Sequence, residues 1–180
     1  MWKSKDFVNW SFEGSHIQGF DWAKGYDWVN DKGEKKTGYF RYWAPGKVIE
    51  QNGTYYLYVT FVKPDEKMGT YVMIADRPDG PFRFAEGNGL FAPGVEGVDS
   101  PFIVNDIDGE PFIDDDGNGY LFWRRRLAAR LSADRLHIEG EPLTMQTARQ
   151  GYSEGPLMFK RKGIYYYAVS YTHLTLPTKR

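Results

Sequence analysis

Two carboxylates stand at matching places in a recurring pattern. Three short aromatic hairpins can be read along the chain, with turn glycines Gly53, Gly117 and Gly163, 64 and 46 residues apart. Counting back nine residues from each glycine reaches Ala44, Asp108 and Glu154. Each precedes the first strand of its hairpin. If the hairpins belong to successive blades around one axis, Asp108 and Glu154 converge near that axis from neighbouring blades. Two carboxyl groups facing across a pocket suit paired acid–base work such as hydrolysis of an acetal bond, where one must keep its proton for the leaving oxygen.

The elements that would carry them are strands. Val48-Ile49-Glu50 leads through Gln51-Asn52-Gly53 into Tyr55-Tyr56-Leu57-Tyr58-Val59-Thr60-Phe61. Pro111-Phe112-Ile113 leads through Asp114-Asp115-Asp116-Gly117 into Tyr120-Leu121-Phe122-Trp123, and Leu157-Met158-Phe159 leads through Lys160-Arg161-Lys162-Gly163 into Tyr165-Tyr166-Tyr167-Ala168-Val169. Asn-Gly and Asp-Gly favour tight hairpins because those turns require positive φ. Thr70–Ala75, Leu127–Leu131 and Arg135–Ile138 read as further strands, and Arg77-Pro78-Asp79-Gly80-Pro81 as a turn. Small antiparallel sheets recurring every 45–65 residues or so predict an all-β propeller rather than a sandwich.

Composition agrees. The 180 residues hold 13 Tyr, 12 Phe, 6 Trp, 20 Gly and 10 Pro, a strand-and-turn composition. Lys plus Arg number 23 against 24 Asp plus Glu, which argues against nucleic acid as partner. No apolar stretch approaches the ~20 residues of a membrane span, and no leader peptide is visible. Cysteine is absent, which excludes disulfides, zinc thiolates and a thiol nucleophile.

Residues 1–42 yield one strand-and-turn remnant, Ser4–Trp10, followed by what reads as a long polar loop over 11–42. Thr172–Arg180 breaks the aromatic pattern and reads as a non-native tail, leaving 1–171 as part of one domain. The chain thus reads as roughly two and a half to three blades of a longer protein, whose localisation is open between secretion, the periplasm and elsewhere.

The strings Trp43-Ala44-Pro45, Ile107-Asp108-Gly109-Glu110-Pro111-Phe112-Ile113-Asp114-Asp115-Asp116-Gly117 and Glu154-Gly155-Pro156, in this order, resemble glycoside hydrolase family 43. Ser4-Lys5-Asp6-Phe7-Val8-Asn9-Trp10, Asn52-Gly53-Thr54-Tyr55-Tyr56-Leu57 and Ala75-Asp76-Arg77-Pro78-Asp79-Gly80-Pro81 support it. The resemblance implies a five-bladed β-propeller and inverting hydrolysis of arabinose- or xylose-containing saccharides, with no cofactor, no metal and no obligate protein partner. It makes Glu154 the general acid, Asp108 the aspartate that raises the acid's pKa, and Trp43 an aromatic wall of the sugar pocket. The family's base precedes the Ser-Lys-Asp-Phe-Val-Asn-Trp string and would fall upstream of Met1, so the chain alone is expected to be inactive. Acid and base would stand roughly 6.5–9.5 Å apart to admit water. Gly109 replaces the family's usual proline, and an axial histidine of a later blade has no counterpart.

Other readings stay open. Glu154 and Asp108 can be turn residues, and Trp43 inter-blade packing. Asp114–Gly119 superficially fits a calcium loop, but Arg125 stands where the bidentate Glu belongs, so a hairpin turn is the better reading. Arg124-Arg125-Arg126 reads as alternating along a strand, solvated by default. The three histidines show no ligand spacing. Rival functions are a non-catalytic carbohydrate-binding propeller, an all-β interaction domain, and a fructan-type furanosidase. The last would show Arg-Asp-Pro and Glu-Cys strings, and neither occurs.

Overall fold

The computed structural model describes residues 2–14, 16–17, 20–93, 95, 97, 99–148 and 152–170. The tail inferred at 172–180 lies outside them. The chain is all-β. A four-stranded antiparallel sheet runs β5 (Arg41–Gln51), β6 (Thr54–Val62), β7 (Met68–Ala75), β8 (Arg83–Phe84), and a second runs β9 (Glu110–Ile113), β10 (Gly119–Trp123), β11 (Leu127–Leu131), β12 (Ile138–Thr144). Before them come the hairpins β1 (Trp2–Lys3) with β2 (Ser11–Phe12) and β3 (Tyr26–Val29) with β4 (Lys35–Gly38). After them comes β13 (Glu154–Arg161) with β14 (Ile164–Ser170). Strands in sequence order, each beside the last, are the meander of a propeller blade.

Local chemistry explains the hairpins. Asn52 and Gly53 sit at φ 53° and 80°, Lys162 and Gly163 at 52° and 75°, the double positive φ of a two-residue turn matching strand twist. The middle hairpin turns through five residues, 114–118, between the paired Ile113 and Gly119. Bulges in β5 and β13 absorb residues that the middle hairpin places in its longer turn. The count from each glycine therefore ends at comparable heights on all three.

Packing follows the two-residue period. Along β6, Leu57, Val59 and Phe61 enter one core with Tyr71, Met73 and Phe82, while Tyr58 enters another with Leu121, Trp123 and Leu131. Both faces are buried, hence the nearly continuous aromatic run. At the centre, β5, β9 and β13 lie side by side. Lys47 Nζ stands 3.4 Å from Glu110 Oε1 and donates to the Met158 carbonyl at 3.3 Å, while the Lys47 N–H donates to Glu110 Oε2 at 3.0 Å. One side chain thus ties all three inner strands.

Three expectations need correction. Residues 11–42 are not a single loop. They hold β2 and the β3–β4 hairpin, in which Tyr26-Asp27-Trp28-Val29 alternates in burial but Lys35-Lys36-Thr37 is polar and exposed. Arg135–Ile138 is not a strand: Arg135 sits at φ 68° in a turn, and β12 begins at Ile138. Arg124–Arg126 forms the tight turn between β10 and β11, with Arg125 and Arg126 left-handed at φ 65° and 62°, so the arginines do not alternate. The Ser4–Trp10 string is a tight loop wound on Asp6, whose Oδ1 accepts the N–H groups of Val8 (2.9 Å) and Asn9 (2.8 Å).

Candidate active site

Asp108 and Glu154 meet where the second sheet borders the last hairpin. Asp108 precedes β9 in a left-handed conformation, φ 65°, which aspartate tolerates better than most residues. Its N–H donates to the buried Thr60 Oγ1 at 3.0 Å, fixing it to the neighbouring sheet. Gly109 must be glycine, since a Cβ there would lie 2.4 Å from Thr70 Cγ2.

Glu154 opens β13. Gly155 follows at φ 52°, and its N–H donates to Asp108 Oδ2 at 2.9 Å. The contact locks the backbone behind one carboxylate to the oxygen of the other. Glu154 is anchored further by Ser170 Oγ, which donates to its carbonyl at 3.0 Å. Its Oε1 accepts the Tyr152 hydroxyl. Burial pushes Asp108 above the usual carboxylate range, opposed by the Gly155 N–H. The Glu154 charge adds to the rise, Arg124 opposes it and Asp106 adds a smaller push.

Three residues of this cluster were not predicted as parts of it. Arg124 Nη2 pairs with Asp106 Oδ1 at 2.6 Å, and Nη1 donates to the Tyr152 hydroxyl oxygen at 3.4 Å. Asp106 and Tyr152 stand two residues before Asp108 and Glu154. That matching two-residue offset was the available signal, although Asp108 at φ 65° is not extended chain.

Trp43 lies apart from the pair in its contacts. It sits in β5 at the bulge between Tyr42 and Pro45, is 39% exposed, and faces the Arg41 guanidinium at 5.7 Å. Among the described residues no hydrogen bond or ring contact joins it to Asp108 or Glu154. Its neighbours Tyr42 and Pro45 line a cavity of about 480 Å³ with His16, Trp22 and Val48. A larger cavity of about 860 Å³ lies against β7 and β8, and neither cavity is lined by the carboxylates.

The triple-aspartate loop is a hairpin turn with engaged carboxylates. Asp114 Oδ1 takes Lys160 Nζ at 2.7 Å, and Asp116 accepts both the backbone and side-chain N–H groups of Asn118, at 2.9 and 2.6 Å. Among the described residues no group of three or more His, Asp or Glu is placed to hold a metal ion.

The sequence profile of Glycosyl hydrolases family 43 matches residues 1–179. The chain is 32% identical over 124 residues to the beta-D-galactofuranosidase xynD of Aspergillus niger, covering 67% of this chain and 34% of that protein. It is 27% identical over 188 residues to the arabinoxylan arabinofuranohydrolase of Bacillus subtilis, covering 93% of this chain and 33% of that one. Among solved structures, a glycoside hydrolase superposes with a TM-score of 0.71 at 39% identity, over 93% of this chain and 34% of its own. The chain therefore spans about a third of the length of these relatives.

Proposed function

The chain belongs to glycosyl hydrolases family 43, and from that premise we propose that the whole protein hydrolyses O-glycosidic bonds of arabinose- or xylose-containing saccharides with inversion. Glu154 is the general acid, which protonates the departing glycosidic oxygen. Asp108 holds the acid's backbone and supplies the neighbouring negative charge. Attack comes from a water on the opposite face of the sugar, and no residue of this chain is assigned as its base. Trp43 supplies an aromatic face to the sugar.

The reading is carried by one observation, the 2.9 Å hydrogen bond from the Gly155 N–H to Asp108 Oδ2. It brings the proposed acid and the carboxylate proposed to modulate it, from two successive sheets, to one place. The names of the relatives, an arabinofuranohydrolase and a galactofuranosidase, support furanose or pentose substrates.

The test is Glu154→Gln in the whole protein. Turnover of arabinosyl or xylosyl oligosaccharides is expected to fall about 10³-fold, and that of nitrophenyl glycosides, whose leaving group needs little protonation, far less. Proton NMR of the first-formed anomer should show inversion. Undiminished oligosaccharide turnover in the variant would sink the assignment.

A further inference from the structure

We propose that Tyr152 is a positioning residue for Glu154, its hydroxyl held on Oε1 so that the transferable proton rides on Oε2. The proposal rests on the reading of Glu154 as general acid. The chain of contacts has a fixed polarity. A guanidinium has donors and no acceptor. Arg124 is held by the Asp106 carboxylate at 2.6 Å and turns Nη1 to the Tyr152 oxygen at 3.4 Å. Asp106 is itself buried, and the same Oδ1 accepts the Ile107 N–H at 2.9 Å, so it cannot swing away cheaply. The phenol oxygen accepts from Arg124, and its single proton points to Glu154 Oε1.

A carboxylic acid whose Oε1 already accepts a hydrogen bond carries its proton on the other oxygen. In the reaction that proton passes from Oε2 to the glycosidic oxygen. The electrons of the O–H bond remain on Glu154, and those of the breaking C–O bond go to the departing oxygen. The negative charge left on the carboxylate strengthens the Tyr152 contact, because a hydrogen bond to a charged acceptor is about twice as strong as a neutral one. The contact is therefore stronger in the transition state than before it, the condition for lowering a barrier. A second property of the phenol fits: it is raised above the usual tyrosine range, chiefly by the hydrogen bond to Glu154.

Two measurements test this. In protein labelled at the tyrosine ring Cζ carbons, the resonance that disappears in Tyr152→Phe belongs to Tyr152. Its titration midpoint should lie above that of an ordinary tyrosine and fall in Glu154→Gln. A midpoint that does not move between the two overturns the proposal. In the whole protein, Tyr152→Phe should lower kcat on oligosaccharides about tenfold with KM unchanged, and on nitrophenyl glycosides hardly at all. Equal losses on both substrates mark a merely structural residue and also overturn it. If Glu154→Gln leaves oligosaccharide turnover intact, the acid assignment falls first. If Glu154→Gln abolishes it while Tyr152→Phe is silent, only the positioning role falls.

Discussion

Between the β5–β8 and β9–β12 sheets lie Ile49, Tyr58, Val72, Val104, Leu121, Trp123, Ala129 and Leu131, all buried. Between β9–β12 and the last hairpin lie Phe112, Phe122, Ala128 and Met158, and that hairpin leaves Leu157, Phe159, Ile164, Tyr165 and Tyr166 exposed. The rim clasps differ in kind as well. At the first seam the buried Arg135 donates Nε to Gln51 Oε1 at 2.6 Å and Nη2 to the Gly117 carbonyl at 2.7 Å, and Tyr58 donates to the Arg135 carbonyl at 2.8 Å. At the second, Lys160 bridges Asp114 and Asp115 at 2.7 Å each, and the Tyr165 hydroxyl joins Asp114. At the rim the first seam is clasped on neutral acceptors and the second, thinner in apolar contacts, by ion pairs; elsewhere in the first seam Lys47 Nζ and the buried Glu110 pair at 3.4 Å. Asp108 and Glu154 sit astride the second. The larger apolar core lies in one seam and the proposed catalytic carboxylates in the other, as expected where functional groups are drawn from less protected regions.

The largest effect should come from the first clasp. Arg135→Met keeps the apolar stem but removes the donors, leaving Gln51 Oε1 and the Gly117 carbonyl without partners. A hydrogen bond from a charged donor contributes about 1.5–3 kcal/mol, and two are lost with the buried guanidinium, so a loss of about 4 kcal/mol is expected in urea unfolding. A loss under about 1 kcal/mol would show that the clasp is incidental and erase half of the contrast.

The first seam was also the more legible from sequence. Its strands carry a nearly continuous apolar and aromatic run, and Asn52-Gly53 announces its own turn through positive φ. Arg135 was not legible, because an arginine flanked by Leu136 and Ile138 reads as alternation, and only the tertiary acceptors on Gln51 and Gly117 reveal a buried turn residue. At the second seam the turn count found Asp108 and Glu154. The link between them is a backbone N–H, which carries no side-chain signal. The β3–β4 hairpin went unread because Lys35-Lys36-Thr37-Gly38 presents no apolar face. Arg124 went unread as a site residue because a run of three arginines looks like solvated strand until two positive φ angles turn it.

A pair of truncations sharpens the contrast. Leu121 is fully buried in the first seam, Met158 nearly so in the second. Leu121→Ala should cost about 3 kcal/mol and Met158→Ala about 2 kcal/mol, since a site at a thin seam relaxes around the cavity. Turnover in the whole protein should show the reverse order. Met158 lies in the same strand as Glu154, and small displacements of a reacting group slow catalysis steeply, so Met158→Ala should lose about tenfold in kcat and Leu121→Ala little. The same order in stability and in rate would refute the division between the seams.

The smallest effect is a pH dependence of the second seam's rim clasp. The Asp114 carboxyl is held down to about 2, first by Lys160, then by Tyr165 and by the Asp115 N–H. A carboxyl lowered in the folded state stabilises it fully above the ordinary aspartate value near 4. That contribution is lost as pH falls from about 4 through about 2. Arg135 stays charged throughout this range and its acceptors are neutral, so the first clasp is untouched. Amide hydrogen-exchange protection, corrected for intrinsic rates, should therefore fall in β13 and β14 between pH 5 and pH 2.5 while β6 and β10 hold theirs. Lys160→Met should show the weakened hairpin already at pH 5, with little further loss on acidification. Equal losses in both seams would mean that acid acts on the molecule as a whole, and that the ionic clasp does not set the hairpin's hold on the second sheet.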